Sequence, residues 1–120
     1  MKFDRFEDMI VWQKGQELAV LGYKYLINNK DYTFKNQFLG ACISITNNIA
    51  EGFERKGVKE FIQFLFISKA SEGEIRSLSY VAFDLNYIDE KIFNLIQNSS
   101  TSLSKQISGF IKYLQNQNNK

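Results

Sequence analysis

Four segments of this chain place apolar residues at helical spacing, and no proline interrupts any of them. Apolar side chains that recur every three to four residues line one side of an α-helix, so each segment predicts an amphipathic helix. Because proline breaks a helix interior, its absence lets each helix run the full length of its pattern. No segment alternates apolar and polar residues as a half-buried strand would. The pattern predicts an all-α fold.

Breaks in the apolar pattern set the helix boundaries. The first helix is predicted over residues 8–28, the second over 34–53, the third over 58–86, and the fourth from Asp89 to Leu114. The predicted N-caps are Asp8, either Asp31 or Thr33, Gly57, and Asp89. Short connections make consecutive helices antiparallel neighbours, which predicts an up-down-up-down antiparallel four-helix bundle. The length of 120 residues predicts that residues 1–120 form a single domain.

The fourth predicted helix contains a polar stretch at residues 97–102, Gln-Asn-Ser-Ser-Thr-Ser. These residue types have poor helix propensity because they compete for backbone hydrogen bonds. Either the helix frays there, or it continues with Ser99 in the core phase. The apolar phase resumes after a slip of one residue, which favours a continuous helix.

The second and third predicted helices form a hairpin with small residues on both arms. A turn near residue 56 places Ser44 opposite Ser68 and Ala41 opposite Ser71. Small side chains let two helix backbones approach closely. A packing role is therefore preferred over a catalytic serine, since no base is available to activate one. The small residues on the two arms are Gly40, Ala41, Ser44, Ala70, Ser71 and Gly73.

One polar residue of this hairpin, Asn48, has two competing interpretations, and two others have the spacing of an ion pair. Asn48 falls in the core phase, where a buried amide needs hydrogen-bond partners. Asn48 is either a hydrogen-bonded core residue that fixes the register of the helices or a contact to a ligand or RNA. The first interpretation is preferred. Glu72 and Arg76 are four residues apart, the spacing of a surface ion pair on one helix.

The composition excludes several kinds of site. The chain has no histidine, which rules out a ferritin-like di-iron site, a zinc site of histidine and cysteine, and a Ser-His-Asp triad. We therefore expect no catalytic residue, no metal, no cofactor, no small-molecule substrate and no enzymatic activity. The acidic N-terminus is not a signal peptide, and no apolar run approaches the length of a membrane span. One cysteine, Cys42, predicts a cytoplasmic protein.

A motif across the predicted hairpin resembles a known family. It comprises Ser44-Ile45-x-x-Asn48-Ile49-Ala50-Glu51-Gly52, then Lys59-Glu60-Phe61, then Ala70-Ser71-x-x-Glu74, with Phe6 and Val11-Trp12-Gln13-Lys14 nearer the start. This pattern resembles the bacterial four-helix-bundle proteins encoded within intervening sequences of large-subunit ribosomal RNA genes, a family often labelled a ribosomal protein. The likeness covers about residues 3 to 114. Gly15 and Gly57 depart from the usual helix former and serine cap.

The resemblance implies a left-handed up-down-up-down bundle that assembles into a homopentamer. A related bundle serves as accessory factor to the reverse transcriptase of diversity-generating retroelements and contacts nucleic acid. No catalytic residues are known for the family, so none are transferred to this chain.

The third predicted helix carries apolar residues beyond its core-facing stripe, namely Ile62, Phe66, Phe83 and Tyr87. A monomeric bundle hides one stripe per helix, and larger exposed apolar patches mark protein interfaces. A wide core-facing stripe is the alternative explanation. The resemblance favours an oligomer, with these four residues as the predicted interface.

The last part of the chain is basic. From Lys91 onward it contains Lys91, Lys105, Lys112 and Lys120 and no acidic residue, although the whole chain has a net charge of only +2. Ammonium and amide groups suit contacts to phosphate and sugar, while four lysines are also an ordinary solvated surface. Lys91, Lys105 and Lys112 are the candidate RNA-binding residues. The sequence thus predicts a non-enzymatic oligomeric bundle that associates with RNA, and the alternative is a protein-interaction scaffold or adaptor with no nucleic-acid role.

Overall fold

The computed structural model describes residues 3–118, and four α-helices account for most of this range. They are α1 (Ile10–Leu26), α2 (Tyr32–Phe53), α3 (Val58–Asp84) and α4 (Glu90–Asn118), with a 3-10 turn at Phe6–Asp8 ahead of α1. Within these residues α1 and α3 each pack on α2 and α4 but not on each other, so they lie at diagonal corners of the bundle. The rod measures 50 × 21 × 20 Å. The predicted all-α, up-down-up-down four-helix bundle is confirmed.

Three of the predicted N-caps begin a helix in the structure. The Asp31 carboxylate accepts a hydrogen bond from the Phe34 N–H at 3.2 Å at the start of α2. The Asp89 carboxylate does the same for the Ile92 N–H at 2.9 Å at the start of α4. Gly57 precedes α3 in an extended conformation. Each carboxylate satisfies an N–H group that the first turn of a helix leaves without a partner.

The predicted cap at Asp8 is wrong. Asp8 ends the 3-10 turn, and the N-cap of α1 is Met9, which makes no side-chain cap hydrogen bond. Met9 is almost completely buried. Apolar burial at this position thus determines where α1 begins, rather than a polar cap.

Helix α3 ends at Asp84, two residues earlier than predicted. Asn86 adopts a left-handed conformation with φ of 62°, and the Tyr87 N–H donates to the Ala82 carbonyl at 2.8 Å. This is the geometry of a Schellman motif, in which asparagine is tolerated at positive φ. Leu85, the C-cap residue, is half exposed and lies outside the core.

The predicted continuity of α4 through residues 97–102 is confirmed. The buried residue in that stretch is Ser100, however, and Ser99 is exposed. The Ser100 hydroxyl donates to the buried Glu72 carboxylate at 2.6 Å. The hydrogen bond to Glu72 of α3 therefore favours Ser100 in the core, rather than Ser99 as predicted.

Among the glycines of the α2–α3 hairpin, Gly52 lies in the tightest contact with the facing helix. A methyl group added there would lie 2.6 Å from Cβ of Phe64 and 2.9 Å from the Phe61 ring. Glycine is required here because any side chain would collide with α3. Gly40 and Gly73, which were predicted to form this contact, have nothing within 4 Å of an added methyl group, so that part of the prediction is wrong.

The hairpin register also differs from the prediction. The Ser68 hydroxyl donates to the Ile45 carbonyl at 2.8 Å, and the Ser71 hydroxyl donates to the Ser44 hydroxyl at 2.8 Å. The turn is therefore centred near residue 57 rather than 56, which moves facing pairs by one to three residues. Asn48 is half-buried, and its amide donates to the Ser44 carbonyl at 2.7 Å, as expected of a satisfied polar group.

Candidate nucleic-acid interface

The three candidate RNA-binding lysines lie along one exposed face of α4. Lys91, Lys105 and Lys112 are all exposed. Together with Asn98 they form a series in which each member lies seven residues after the one before it. Seven residues advance a helix by about 10 Å and return to nearly the same side. We call these four residues the α4 strip. Lys120, the remaining basic residue of this region, lies outside the described residues.

The α4 strip has an uncompensated positive charge. Within residues 91–118 the chain has no acidic residue, and none of the three lysines forms an ion pair in the described part of the chain. Exposed pairs occur elsewhere, as between Arg55 and Glu51 at 3.2 Å. The lysine ammonium groups of the strip are therefore available to an external anion.

On the side that faces α3, α4 makes buried polar contacts beside aromatic ones such as Phe93 on Phe83. Glu72 is fully buried, and one of its carboxylate oxygens accepts from Ser100 and lies 3.5 Å from the Arg76 guanidinium. Its other oxygen, Oε2, has no hydrogen-bond partner. One turn away, the Gln97 amide donates to the Arg76 carbonyl at 2.9 Å and also bonds the Ser79 hydroxyl. The burial of Glu72 was missed from sequence, although its helical phase with Ile75 and Ser79 indicates it.

On the side that faces α1, α4 borders an open polar groove of about 300 Å³, which we call the α1–α4 groove. Lys14 and Glu17 of α1 form an ion pair at 3.2 Å on its rim, and both are more than half exposed. The Oε1 atom of Gln106 is buried and has no hydrogen-bond partner. The lining residues are Lys14, Glu17, Asn98, Ser99, Ser102, Leu103 and Gln106.

A second groove of about 310 Å³ lies beyond Gln106, toward the N-terminal segment. Its lining is apolar apart from Gln106. The apolar residues are Phe3, Met9, Ile10, Val11 and Phe110. Gln106 thus separates a polar groove from an apolar one.

The four predicted interface residues do not form one surface. Phe83 is half-buried and packs on Phe93 with ring centroids 4.9 Å apart. Tyr87 packs on Phe34 at 5.2 Å. Ile62 is half-buried against the core, and Phe66 is 51% exposed. Among the four, Phe66 is therefore the residue most available to another chain.

Phe66 belongs to a band of apolar and small residues on the outward face of α3, the face turned away from the bundle. The middle of this face carries small side chains at Ala70, Gly73 and Ser77. Glu74 lies within the face, and Lys69 and Arg76 border it on the side of Tyr80. We call this band the α3 outward face. Its apolar and small members are Phe66, Ile67, Ala70, Gly73, Ser77, Tyr80 and Val81.

The other chemically distinctive groups serve structural roles. Tyr87 donates to the Asp31 carboxylate at 2.6 Å, and this bond raises the pKa of Tyr87 and, with the Phe34 N–H, lowers that of Asp31. Burial raises the pKa of the Cys42 thiol to about 12, so the thiol stays protonated and unreactive.

Two searches of the described residues bear on the type of site. Residues 3–118 contain no group of three or more acidic or cysteine side chains placed to hold a metal ion. In the same range, no helix combines the length and apolarity that crossing a membrane requires.

The fold and the α4 strip together define a four-helix bundle with one basic helix face. Comparison with protein families identifies it further: the chain belongs to the 23S rRNA-intervening sequence protein family, whose model matches residues 7–109. The predicted resemblance is confirmed. A comparison with curated proteins gives no match.

Comparison with solved structures supports the same assignment. The chain is similar to a protein of unknown function from the S23 ribosomal protein family of Bacteroides thetaiotaomicron VPI-5482. The two are 29% identical over 86% of this chain and 99% of that chain, with a TM-score of 0.79. The likeness therefore extends over nearly the whole of both bundles.

Proposed function

We propose that this protein is a non-enzymatic, oligomeric helical bundle that associates with RNA, either ribosomal RNA or the intervening sequence within it. The observation that carries the proposal is the α4 strip, where Lys91, Lys105 and Lys112 are exposed, form no ion pair in the described residues, and are followed by no acidic residue up to residue 118. Family membership supports ribosomal RNA as the class of partner. A cytoplasmic site of action accompanies the proposal, in keeping with the single cysteine, Cys42.

Binding through the α4 strip is directed to phosphate. Lysine ammonium groups neutralise phosphates and release counterions, which gives affinity with little sequence preference. Two of the lysines, Lys105 and Lys112, lie about 10 Å apart along α4. An oligomer repeats the strip on one particle, so that several weak contacts act together on one RNA.

Oligomerisation is the second part of the proposal, and a pentamer is the form that the resemblance implies. The α3 outward face supports it, because a solvated helix face of a monomer is normally charged. Small residues at Ala70, Gly73 and Ser77 leave room for another helix to approach closely. The face lies at the corner diagonal to α1, so its use leaves the α1–α4 groove open.

The assembly is tested by light scattering after size exclusion. We expect a mass several times the 14.0 kDa of the chain. Replacing Phe66 and Val81 with lysine should reduce the mass to that of a monomer, while replacing the more exposed Val20 on α1 should not. A monomeric parent at micromolar concentration contradicts this part of the proposal.

RNA association is tested by fluorescence polarisation with a structured RNA at about 50 mM salt, where phosphate contacts are strong. We expect binding by the parent and none by the Lys105→Glu, Lys112→Glu double variant. The matched control is Lys24→Glu, Lys30→Glu, which changes the net charge equally at exposed positions outside the strip. Loss of binding in both double variants would indicate a net-charge effect rather than an interface.

The alternative function is a scaffold or adaptor that binds another protein. The exposed apolar side chains of the α3 outward face favour it, since such a face also suits a protein partner. A parent protein that binds no RNA at about 50 mM salt would make this the preferred function.

A further inference from the structure

The α1–α4 groove lies along the outer edge of the seam between α1 and α4, and most of its lining side chains are polar. Lys14 lies four residues before the buried Leu18 on α1, and Ser99 lies four residues before the buried Leu103 on α4. Residues four apart lie on neighbouring positions of one helix side, so both polar residues border the seam while remaining exposed. The edge of the seam therefore presents hydroxyl, amide and charged groups above the buried Leu103.

Gln106 gives the groove an unsatisfied hydrogen-bonding group. Its Oε1 atom is buried and has no hydrogen-bond partner, although the residue lines the groove. A buried acceptor without a donor costs about 1–3 kcal/mol. A turn of the Gln106 side chain toward the groove lets a ligand N–H group reach this atom and removes that cost.

Asn98 connects the groove to the α4 strip. It lines the groove, and it lies seven residues from both Lys91 and Lys105, on the same side of α4. A phosphate held by Lys105 is therefore next to the mouth of the groove. A nucleotide bound through its phosphate can place its base inside.

We propose that the α1–α4 groove receives one unpaired nucleobase of an RNA whose backbone lies on the α4 strip. The amides of Asn98 and Gln106 bind the hydrogen-bonding edge of the base, and Ser99 and Ser102 bind its remaining polar groups or the ribose. Lys14 and Glu17 close the rim. This inference rests on the proposed RNA association and goes beyond it by naming the unpaired nucleotide as the recognised element.

The size and chemistry of the groove favour a base over other ligands. A volume of about 300 Å³ is at the small end of ligand pockets, which suits one planar ring system. Amide side chains pair with adenine through its amino group and ring nitrogen. Proteins that recognise RNA selectively do so mainly at unpaired bases in loops and bulges, because the edges of paired bases are inaccessible.

The experiment compares two labelled RNAs by fluorescence polarisation at about 50 mM salt: a perfect duplex and the same duplex with one bulged adenosine. We expect the parent to bind the bulged RNA about tenfold more tightly, the discrimination that one good amide–base pair supplies. Gln106→Leu should bind both RNAs equally, with unchanged affinity for the duplex. Gln16→Leu, the same change at an exposed position of α1, should keep the preference.

A second variant guards against an effect of Gln106→Leu on folding. Ser102 is exposed at the groove, so Ser102→Leu obstructs the groove without entering the core, and it should abolish the preference as well. Preference retained by both groove variants, or a parent that binds the two RNAs equally, overturns this inference and leaves RNA association standing. A parent that binds neither RNA overturns both.

Discussion

The α2–α3 hairpin and helix α4 join the same bundle in different ways, although both bury apolar side chains in its core. The hairpin packs closely at Gly52, where the backbone of α2 meets Phe61 and Phe64 with no space for a methyl group. Helix α4 adds a buried carboxylate contact and a groove: Ser100 bonds the buried Glu72 of α3, and Gln106 lines an open groove beside α1. The hairpin contains the tight glycine contact, and the α4 seams contain the buried charge and the groove.

This difference separates the residues that define the family from those that carry the proposed function. Most of the motif that carries the family resemblance lies in the hairpin, at positions such as Asn48, Gly52 and Ser71 that pack or hydrogen-bond within the bundle. The basic strip belongs to α4, and the groove lies between α4 and α1. The buried Glu72 of α3, which has one oxygen without a hydrogen-bond partner, lies on the opposite side of α4. The polar groups on and beside α4 therefore form the candidate site, whereas the motif of the hairpin mainly serves packing.

The largest effect is expected in the hairpin, at Gly52. Gly52→Ala places a methyl group 2.6 Å from Cβ of Phe64, an atom fixed to the α3 backbone. The helices must separate, and we expect the free energy of unfolding to fall by about 3 kcal/mol in a denaturant titration.

The matched control is Gly40→Ala, which meets open space. Alanine stabilises a helix relative to glycine, so this variant should gain about 0.5–1 kcal/mol. Equal effects of the two substitutions would show that the hairpin is not closely packed, and the comparison with α4 would fail.

An intermediate effect is expected at the hydrogen-bonded seam of α4. Ser100→Ala removes the hydroxyl that donates to the buried Glu72 carboxylate. The remaining contact is the Arg76 guanidinium at 3.5 Å, so the variant should lose about 1–3 kcal/mol of unfolding free energy. Ser99→Ala, at the exposed neighbour, should change stability by less than about 0.5 kcal/mol. A neutral Ser100→Ala would mean that polar contacts do not specify this seam.

The smallest effect is expected at the hydrogen bond that Tyr87 donates to Asp31. This bond joins the α1–α2 connection to the α3–α4 connection at one end of the bundle. The pKa of Asp31 is lowered, so its contribution is present above about pH 4 and is lost as pH falls through the folded value. The pKa of Tyr87 is raised, so its contribution is present below about pH 10 and is lost as pH rises through the folded value.

Thermal melts of the parent and Tyr87→Phe test this link. Tyr87→Phe should melt at a lower temperature than the parent at pH 7, and the difference should shrink toward both pH extremes. A difference that does not vary with pH would show that Tyr87 acts through ring packing on Phe34 alone.

The sequence predicted the helices and most of their caps because these depend on local chemistry. Asp31 and Asp89 precede apolar periods and cap them in the structure. The errors occur at residues whose burial depends on contacts with parts of the chain that are distant in sequence. Ser100 is buried instead of Ser99 because Glu72 lies opposite it, and Asp8 is not a cap because Met9 is drawn into the core.

The candidate site was predicted only in part for the same reason. The lysines of the α4 strip share a helix face, which spacing alone reveals. The α1–α4 groove depends on the separation of two helices that are distant in sequence, and no local pattern encodes that distance. The low helix propensity of residues 97–102 was the one available signal, since it marks the stretch of α4 that lines the groove.

The central claim is that α4 carries an RNA-binding surface, and the salt dependence of RNA affinity tests it most directly. The logarithm of the affinity for a structured RNA should fall linearly with the logarithm of the salt concentration in the parent protein. In Lys105→Gln, Lys112→Gln the magnitude of that slope should decrease by at least about 2, one for each phosphate contact removed. A parent protein whose affinity is independent of salt, or a double variant with an unchanged slope, would contradict the claim.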